Sequence, residues 1–353
     1  MRGRRCMGEY AKIENPIARV YEAGKMDFAE GRIREPGKNE VQIRIRASLI
    51  CGSDLHIFKD RHPAVSLPVT IGHEFTGIVT KTGEAVTRFR KGDRVVVEPV
   101  LACGECDACR RGEYGYCENI SFTYREGDGA LAKYFTGKEE RVYHLPENIS
   151  FEKGALAEPL AVAVHAVKRA GVRLGECVVI AGAGAIGIMI AAVCKKLGAK
   201  TVVISDYSVP RLRMAQELGA DIIVNAASED LIERVMELTN GRGAEKAFEC
   251  VGKESTFSQL LSCAKMNGLI TDVGIFERPQ INIDASSLVK RELRIQGAQG
   301  YCWDFDNSIQ LLEELPLEKL ITHRFPLEQV QKAIVTASDP ESGAIKVCVI
   351  PEE

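Results

Sequence analysis

Neither sign of charge is in excess in this chain: 49 acidic and 46 basic side chains leave a formal charge of −3 at neutral pH. The lysines and arginines are spread rather than gathered in blocks, so the chain lacks the electrostatic footprint of a nucleic-acid binder. Long apolar runs are scarce too. The longest uncharged stretch, from Cys177 to Cys194, barely reaches membrane-spanning length and is interrupted by glycines, so no membrane association is expected. The basic start MRGRRC leads into EYAKIENP instead of an apolar segment, which argues against a secretory signal and for the cytoplasm. Cysteine, at 12 in 353 residues, is too dilute for a disulfide scaffold. Cys6, Cys177, Cys194, Cys250, Cys263, Cys302 and Cys348 fall mostly in apolar runs and read as small core residues. The other five suggest metal chemistry.

Cys103, Cys106, Cys109 and Cys117 sit in CGECDACRRGEYGYC, spaced C-x2-C-x2-C-x7-C. Four thiolates in so short a segment can surround one zinc ion tetrahedrally and leave no position for a substrate. The segment has few apolar residues, so ligation would supply part of its folding energy and its role is structural. Cys51 and His73 lie upstream, with Glu74 and Glu158 as available carboxylates. Sulfur, nitrogen and oxygen ligation with one position left open is what Lewis-acid catalysis requires. Either glutamate can be the direct ligand while the other holds water or orients a neighbour.

The first part of the chain, 1–158, reads as a β-rich domain with long loops, its strands at 40–50, 74–83 and 93–100. From 159 to 294, short apolar strands at 177–182, 201–206, 221–226, 246–252 and 268–274 alternate with amphipathic helices, among them TFSQLLSCAKMNG (256–268). That rhythm predicts an open parallel α/β sheet. Residues 295–353 are expected to return to the first domain, with a catalytic cleft between the two.

Gly182, Gly184 and Gly187 form GAGAIG, with Ala185 and Ile186, where a strand gives way to a helix. Glycines there allow a tight turn and close approach of a pyrophosphate, and the helix N-terminus offers backbone N–H groups to its charge. Asp206 ends the next predicted strand, 24 residues after Gly182. A carboxylate at that place can accept hydrogen bonds from both ribose hydroxyls of NAD and repels the extra phosphate of NADP, unless it is an ordinary helix cap. Arg211 is placed to lie beside the adenosine ribose or on an exposed helix face, and Val273, at the end of a later strand, is a further cofactor contact.

Taken together, these motifs resemble the zinc-containing medium-chain dehydrogenase/reductase family over essentially the whole chain. The stretch GHEFTGIVTKTGEAVTRFRKGDRV, from Gly72 to Val95, is similar to that family's long zinc signature. The resemblance implies a Rossmann nucleotide domain inserted into a β-rich GroES-like catalytic domain. It also implies a catalytic zinc on Cys51 and His73 and a structural zinc on the four-cysteine loop. Glu158 stands where liver-type alcohol dehydrogenases have a second cysteine ligand. CGSDLHIF (51–58) and EPLAVAVHAV (158–167) look more like the sorbitol, butanediol and threonine dehydrogenase side of the family.

The implied reaction transfers hydride from a secondary alcohol, a polyol or sugar-derived one, to NAD+, giving a ketone and NADH. Ser53 and His56 match the positions that pass the alcohol proton to solvent. Threonine, 2,3-butanediol, sugar acids and sugar phosphates are alternative substrates, and Arg125, Arg291, Tyr301 and Trp303 are the side chains whose placement bears on that choice. A noncatalytic, zinc-stabilised NAD-binding or sensor protein is the reading from another class. Similar bacterial polyol dehydrogenases are commonly tetramers and liver-type enzymes dimers, so the resemblance implies a homo-oligomer, with a tetramer favoured.

Overall fold

Alternating apolar side chains in EVQIRIRASL bury Val41, Ile43, Ile45, Ala47 and Leu49 and make the segment Glu40–Leu49 a strand. In the computed structural model, which describes residues 14–62, 65–126, 129–276, 278 and 280–352, this strand organises the first of two compact units. Cys6 and the basic start lie outside the described residues. The first unit comprises the chain up to Glu158 with 309–314 and 318–353.

Glu40–Leu49 pairs antiparallel with Glu74–Thr82, placing Leu49 opposite Glu74, and with Lys346–Ile350, placing Cys348 opposite Leu49. This register brings three distant stretches to one end of a seven-stranded sheet. Cys51 follows two residues after that end, at the start of helix Gly52–Phe58. Ile57 and Phe58 anchor the helix in a core with Ile71, Tyr124, Leu131 and Val347, so its entry point cannot move independently of the sheet.

The second unit, Pro159–Ser308 with Leu315–Leu317, is built on a six-stranded parallel sheet. Its order across the sheet is Ile222–Asn225, Thr201–Asp206, Cys177–Ala181, Ala244–Glu249, Ala264–Asp272, Arg294–Gly297. The order is third, second, first, fourth, fifth, sixth, the doubly wound nucleotide-binding arrangement. Strands buried on both faces explain the near-continuous apolar runs VVIA and VVIS.

Two expectations are corrected here. The predicted helix over 256–268 ends at Cys263, because Ala264 pairs with Ala244 and opens the fifth strand. The return at 295 falls later, after Ser308, because Arg294–Gly297 pairs in parallel with Leu269–Asp272 as the sixth strand. That edge strand is largely exposed and lacks the apolar pattern that reveals the others. A buried network also ties this region down. Asp304 accepts from His165 Nδ1 at 2.7 Å, Lys168 Nζ at 2.9 Å and the Cys302 N–H at 3.1 Å.

The fourth and fifth strands end in carboxylates that face each other in register, Glu249 and Asp272. Glu249 accepts from the Gly252 N–H at 2.8 Å and from Thr256 Oγ1 at 2.6 Å. Asp272 Oδ1 is buried with no hydrogen-bond partner among the described residues. Burial, then the charge of Glu249, pushes the Asp272 carboxyl up to about 6. A folded-state value raised above 3.8 means stability is lost as pH rises through about 6 and is recovered below about 4. Asp272→Asn is therefore expected to raise the melting temperature by about 2 °C at pH 8, after discounting for partial exposure, and to give no gain at pH 4. Thermal unfolding at both pH values checks this; an equal effect at each would contradict it.

Candidate active site

Cys103, Cys106, Cys109 and Cys117 converge so that their sulfur atoms lie within 4.8 Å of one another. Around them lie the short helix Asp107–Arg110 and the turn Tyr114–Tyr116. Backbone N–H groups already favour sulfur anions here: the Cys106 N–H points at Cys103 Sγ at 3.4 Å and the Cys103 N–H at Cys117 Sγ at 3.3 Å. Donors at Glu105 and Cys106 bring the Cys103 thiol down to about 6, whereas burial and then the neighbouring Cys106 thiol push Cys109 up to about 12. Some of the four shed protons readily and one resists in their company. A divalent cation at the centre removes that conflict, so the donor set fits zinc.

Cys51, His73 and Glu74 form the second group, again with ligand atoms within 4.8 Å of one another. His73 and Glu74 are buried and Cys51 is partly so. Two residues invisible to the sequence reading shape it. Asp54 is fully buried; it accepts the Cys51 N–H at 2.9 Å and the Gly72 N–H at 3.1 Å, and its Oδ1 lies 3.6 Å from His73 Nδ1. Burial works against the His73 imidazolium, yet Asp54 and Cys51 hold it well above its ordinary value. The pocket thus favours positive charge beside His73, as a zinc site must. Lys346 is the second such residue, with its ammonium 2.5 and 2.6 Å from the two Glu74 oxygens. Burial opposes its charge, but Glu74, with Cys51 behind it, keeps the ammonium above its usual range.

Glu158 lies in the first turn of helix Ala157–Ala170 and is buried, but it is not among the residues grouped with Cys51 and His73. Its charge reaches Lys346. Ser53 and His56 are half-buried on helix Gly52–Phe58 and, three residues apart, share a face. Arg125 is placed near the metal-ligand group through Tyr124, whose ring is 5.4 Å from that of His73. Arg291 instead donates to the backbone carbonyl of Leu261 at 2.8 Å, closing a helix end within the second unit. Tyr301 is buried there and Trp303 is exposed.

In the second unit, Gly184 caps helix Ala185–Lys196, whose first turn holds Ala185, Ile186 and Gly187. A Cβ at Gly187 would come 1.9 Å from the Gly182 carbonyl oxygen, so packing within the protein demands glycine there. A Cβ at Gly184 would meet nothing within 4 Å. Its lack of a side chain leaves open space at a helix N-terminus, which fits the approach of a pyrophosphate. Asp206 Oδ2 accepts the Ala183 N–H at 2.8 Å and Oδ1 the Ser208 N–H at 2.8 Å, so the carboxylate trusses the glycine turn. Arg211 is half-buried on the following helix, and the Val273 N–H donates to the Glu249 carbonyl at 2.9 Å.

Residues 37–147 match the alcohol dehydrogenase GroES-like domain and residues 185–314 the zinc-binding dehydrogenase domain. A sorbitol dehydrogenase of Halalkalibacterium halodurans is 34% identical, covering 90% of this chain and 93% of that protein. The crystal structure of 2R,3R-butanediol dehydrogenase from Bacillus subtilis is 30% identical with a TM-score of 0.89, over 96% of this chain and 100% of that one. A structure from Sinorhizobium meliloti 1021, described as a zinc-binding dehydrogenase and solved with NADP, is 29% identical with a TM-score of 0.90 over 96% and 99%. No helix among the described residues is long and apolar enough to cross a membrane. The GroES-like and Rossmann-like parts expected from the sequence are both present, and with this likeness along nearly its whole length the chain belongs to the zinc-dependent medium-chain dehydrogenase family.

Proposed function

We propose that the protein oxidises a secondary alcohol, a polyol or sugar-derived one, to a ketone, with NAD as hydride acceptor. The observation that carries this reading is the buried Cys51, His73 and Glu74 group backed by Asp54, in one chain with a doubly wound nucleotide-binding sheet. Cys51 and His73 would hold zinc, with Glu74 or Glu158 completing the set. Bound there, zinc makes an alcohol proton easier to remove, and the nicotinamide ring supplies the hydride acceptor.

The chain's own residues do the positioning. Asp54 orients His73, and Lys346 holds Glu74. Ser53 accepts the alcohol proton at Oγ as its own hydroxyl proton passes on, and His56, on the same helix face, relays that proton outward. Asp206 has lone pairs beyond those given to Ala183 and Ser208, with which to accept the ribose hydroxyls, and its charge disfavours a 2′-phosphate. The Sinorhizobium relative solved with NADP makes this preference worth measuring. The assembly we expect is a cytoplasmic homotetramer, on the resemblance to bacterial polyol dehydrogenases; light scattering reads its size.

The test is a panel of polyols, 2,3-butanediol, threonine, sugar acids and sugar phosphates, offered with NAD+ or NADP+, with zinc measured by mass spectrometry. NADH formation with at least one polyol-type alcohol is expected, with NADP+ used on the order of 100-fold less efficiently, the scale of one close charge clash. Turnover of no alcohol would sink the reading, and preference for NADP+ would sink the part assigned to Asp206.

A further inference from the structure

Arg125 follows Tyr124 in the short turn Thr123–Glu126. The Tyr124 ring lies 5.4 Å from the His73 imidazole and is stacked 5.5 Å from Phe122. The Arg125 guanidinium sits over Phe122, 5.4 Å from its centroid, and its charge reaches the Tyr124 hydroxyl. The stacked rings of Tyr124 and Phe122 therefore link the metal-ligand histidine to the cation.

Among the described residues, the two acids beside His73 are already engaged. Asp54 holds two backbone N–H groups, and both Glu74 oxygens are on Lys346. Arg125 Nε is buried and, among the described residues, has no hydrogen-bond partner. A guanidinium carries five donors in a rigid fork that matches the oxygens of a carboxylate or phosphate. The Tyr124 hydroxyl has a proton of its own to donate. A neutral polyol would leave such a fork poorly used, whereas an oxyanion would meet it with charge-assisted bonds.

Resting on the dehydrogenase reading above, we propose that Arg125, with the Tyr124 hydroxyl, selects alcohols that carry a terminal oxyanion, a phosphate ester or a carboxylate, over neutral polyols. The enzyme loaded with zinc and NAD is assayed as wild type, Arg125→Gln and Arg125→Lys, on matched neutral, phosphorylated and carboxylated forms of the same alcohols. Calorimetric titration with inorganic phosphate and with acetate runs in parallel and distinguishes the two sources of charge. Wild type should favour the charged forms. Arg125→Gln should lower their kcat/KM on the order of 10- to 100-fold and leave the neutral forms within about threefold, with Arg125→Lys between. Neutral alcohols used as well as charged ones by the wild type, or equal losses on both, would overturn the proposal while leaving the dehydrogenase reading intact. If the wild type oxidises no alcohol, the dehydrogenase reading fails and the titration decides alone. Phosphate or acetate binding lost in Arg125→Gln upholds the anion site, and unchanged or undetectable binding overturns it.

Discussion

Lys346→Met should lower the melting temperature by about 10 °C, because taking the cation from a buried ion pair costs about 3–5 kcal/mol and leaves a carboxylate stranded. Glu74 is fully buried and both its oxygens are held by the Lys346 ammonium, so water cannot take over that role without opening the sheet. The ammonium is held above its usual range, so its contribution is complete below about pH 10 and disappears only in stronger alkali. The double variant Lys346→Met with Glu74→Gln should recover part of the loss, since a neutral amide no longer demands a counter-charge. Calorimetry on the three variants checks the sign and the coupling. A Lys346→Met protein as stable as wild type would show that the pair is dispensable.

The distance of that pair along the chain, 272 residues, is why it escapes a reading of the sequence. Nothing near Lys346 marks it except that a lysine interrupts an apolar strand, and an edge position would look the same. The four-cysteine loop is legible for the opposite reason: its ligands are sequence neighbours, and so few apolar residues surround them that metal is the natural source of order. His73 is legible through the long glycine-punctuated signature, and Cys51 through the likeness of CGSDLHIF to the polyol side of the family. Asp54 is hidden because an acid in the first turn of a helix usually serves only the helix dipole, and here the same carboxylate also reaches Gly72 and His73. The parallel strands were readable from burial on both faces, and the exposed edge strand Arg294–Gly297 was not.

Cys109→Ser is expected to reduce the zinc content from two ions per chain to one and to make the segment 103–117 the first site of proteolytic cleavage. Three sulfurs cannot close a tetrahedron, and about 10–16 kcal/mol of binding energy available to a complete thiolate site of this kind would be largely forfeited. The segment has little else to hold its shape, apart from features such as Tyr114 lying under the Arg141 guanidinium, 4.5 Å from ring centroid to Cζ. Cys51→Ser should remove the other ion and the activity while leaving the loop resistant to protease. Metal analysis with limited proteolysis separates the two. Two ions retained in Cys109→Ser, or a loop no more easily cut, would mean that these sulfurs are not a metal site.

Chain order adds a constraint on biogenesis. Cysteine, histidine and glutamate of the buried group are all synthesised before the nucleotide-binding unit, and their lysine counter-ion only after it. Domains fold as they emerge from the ribosome. A nascent chain paused between the two therefore carries a thiol, an imidazole and a carboxylate that no sheet neighbour yet neutralises, a set open to whatever divalent ion it meets. The counter-charge for Glu74 therefore arrives only when the C-terminal strand docks.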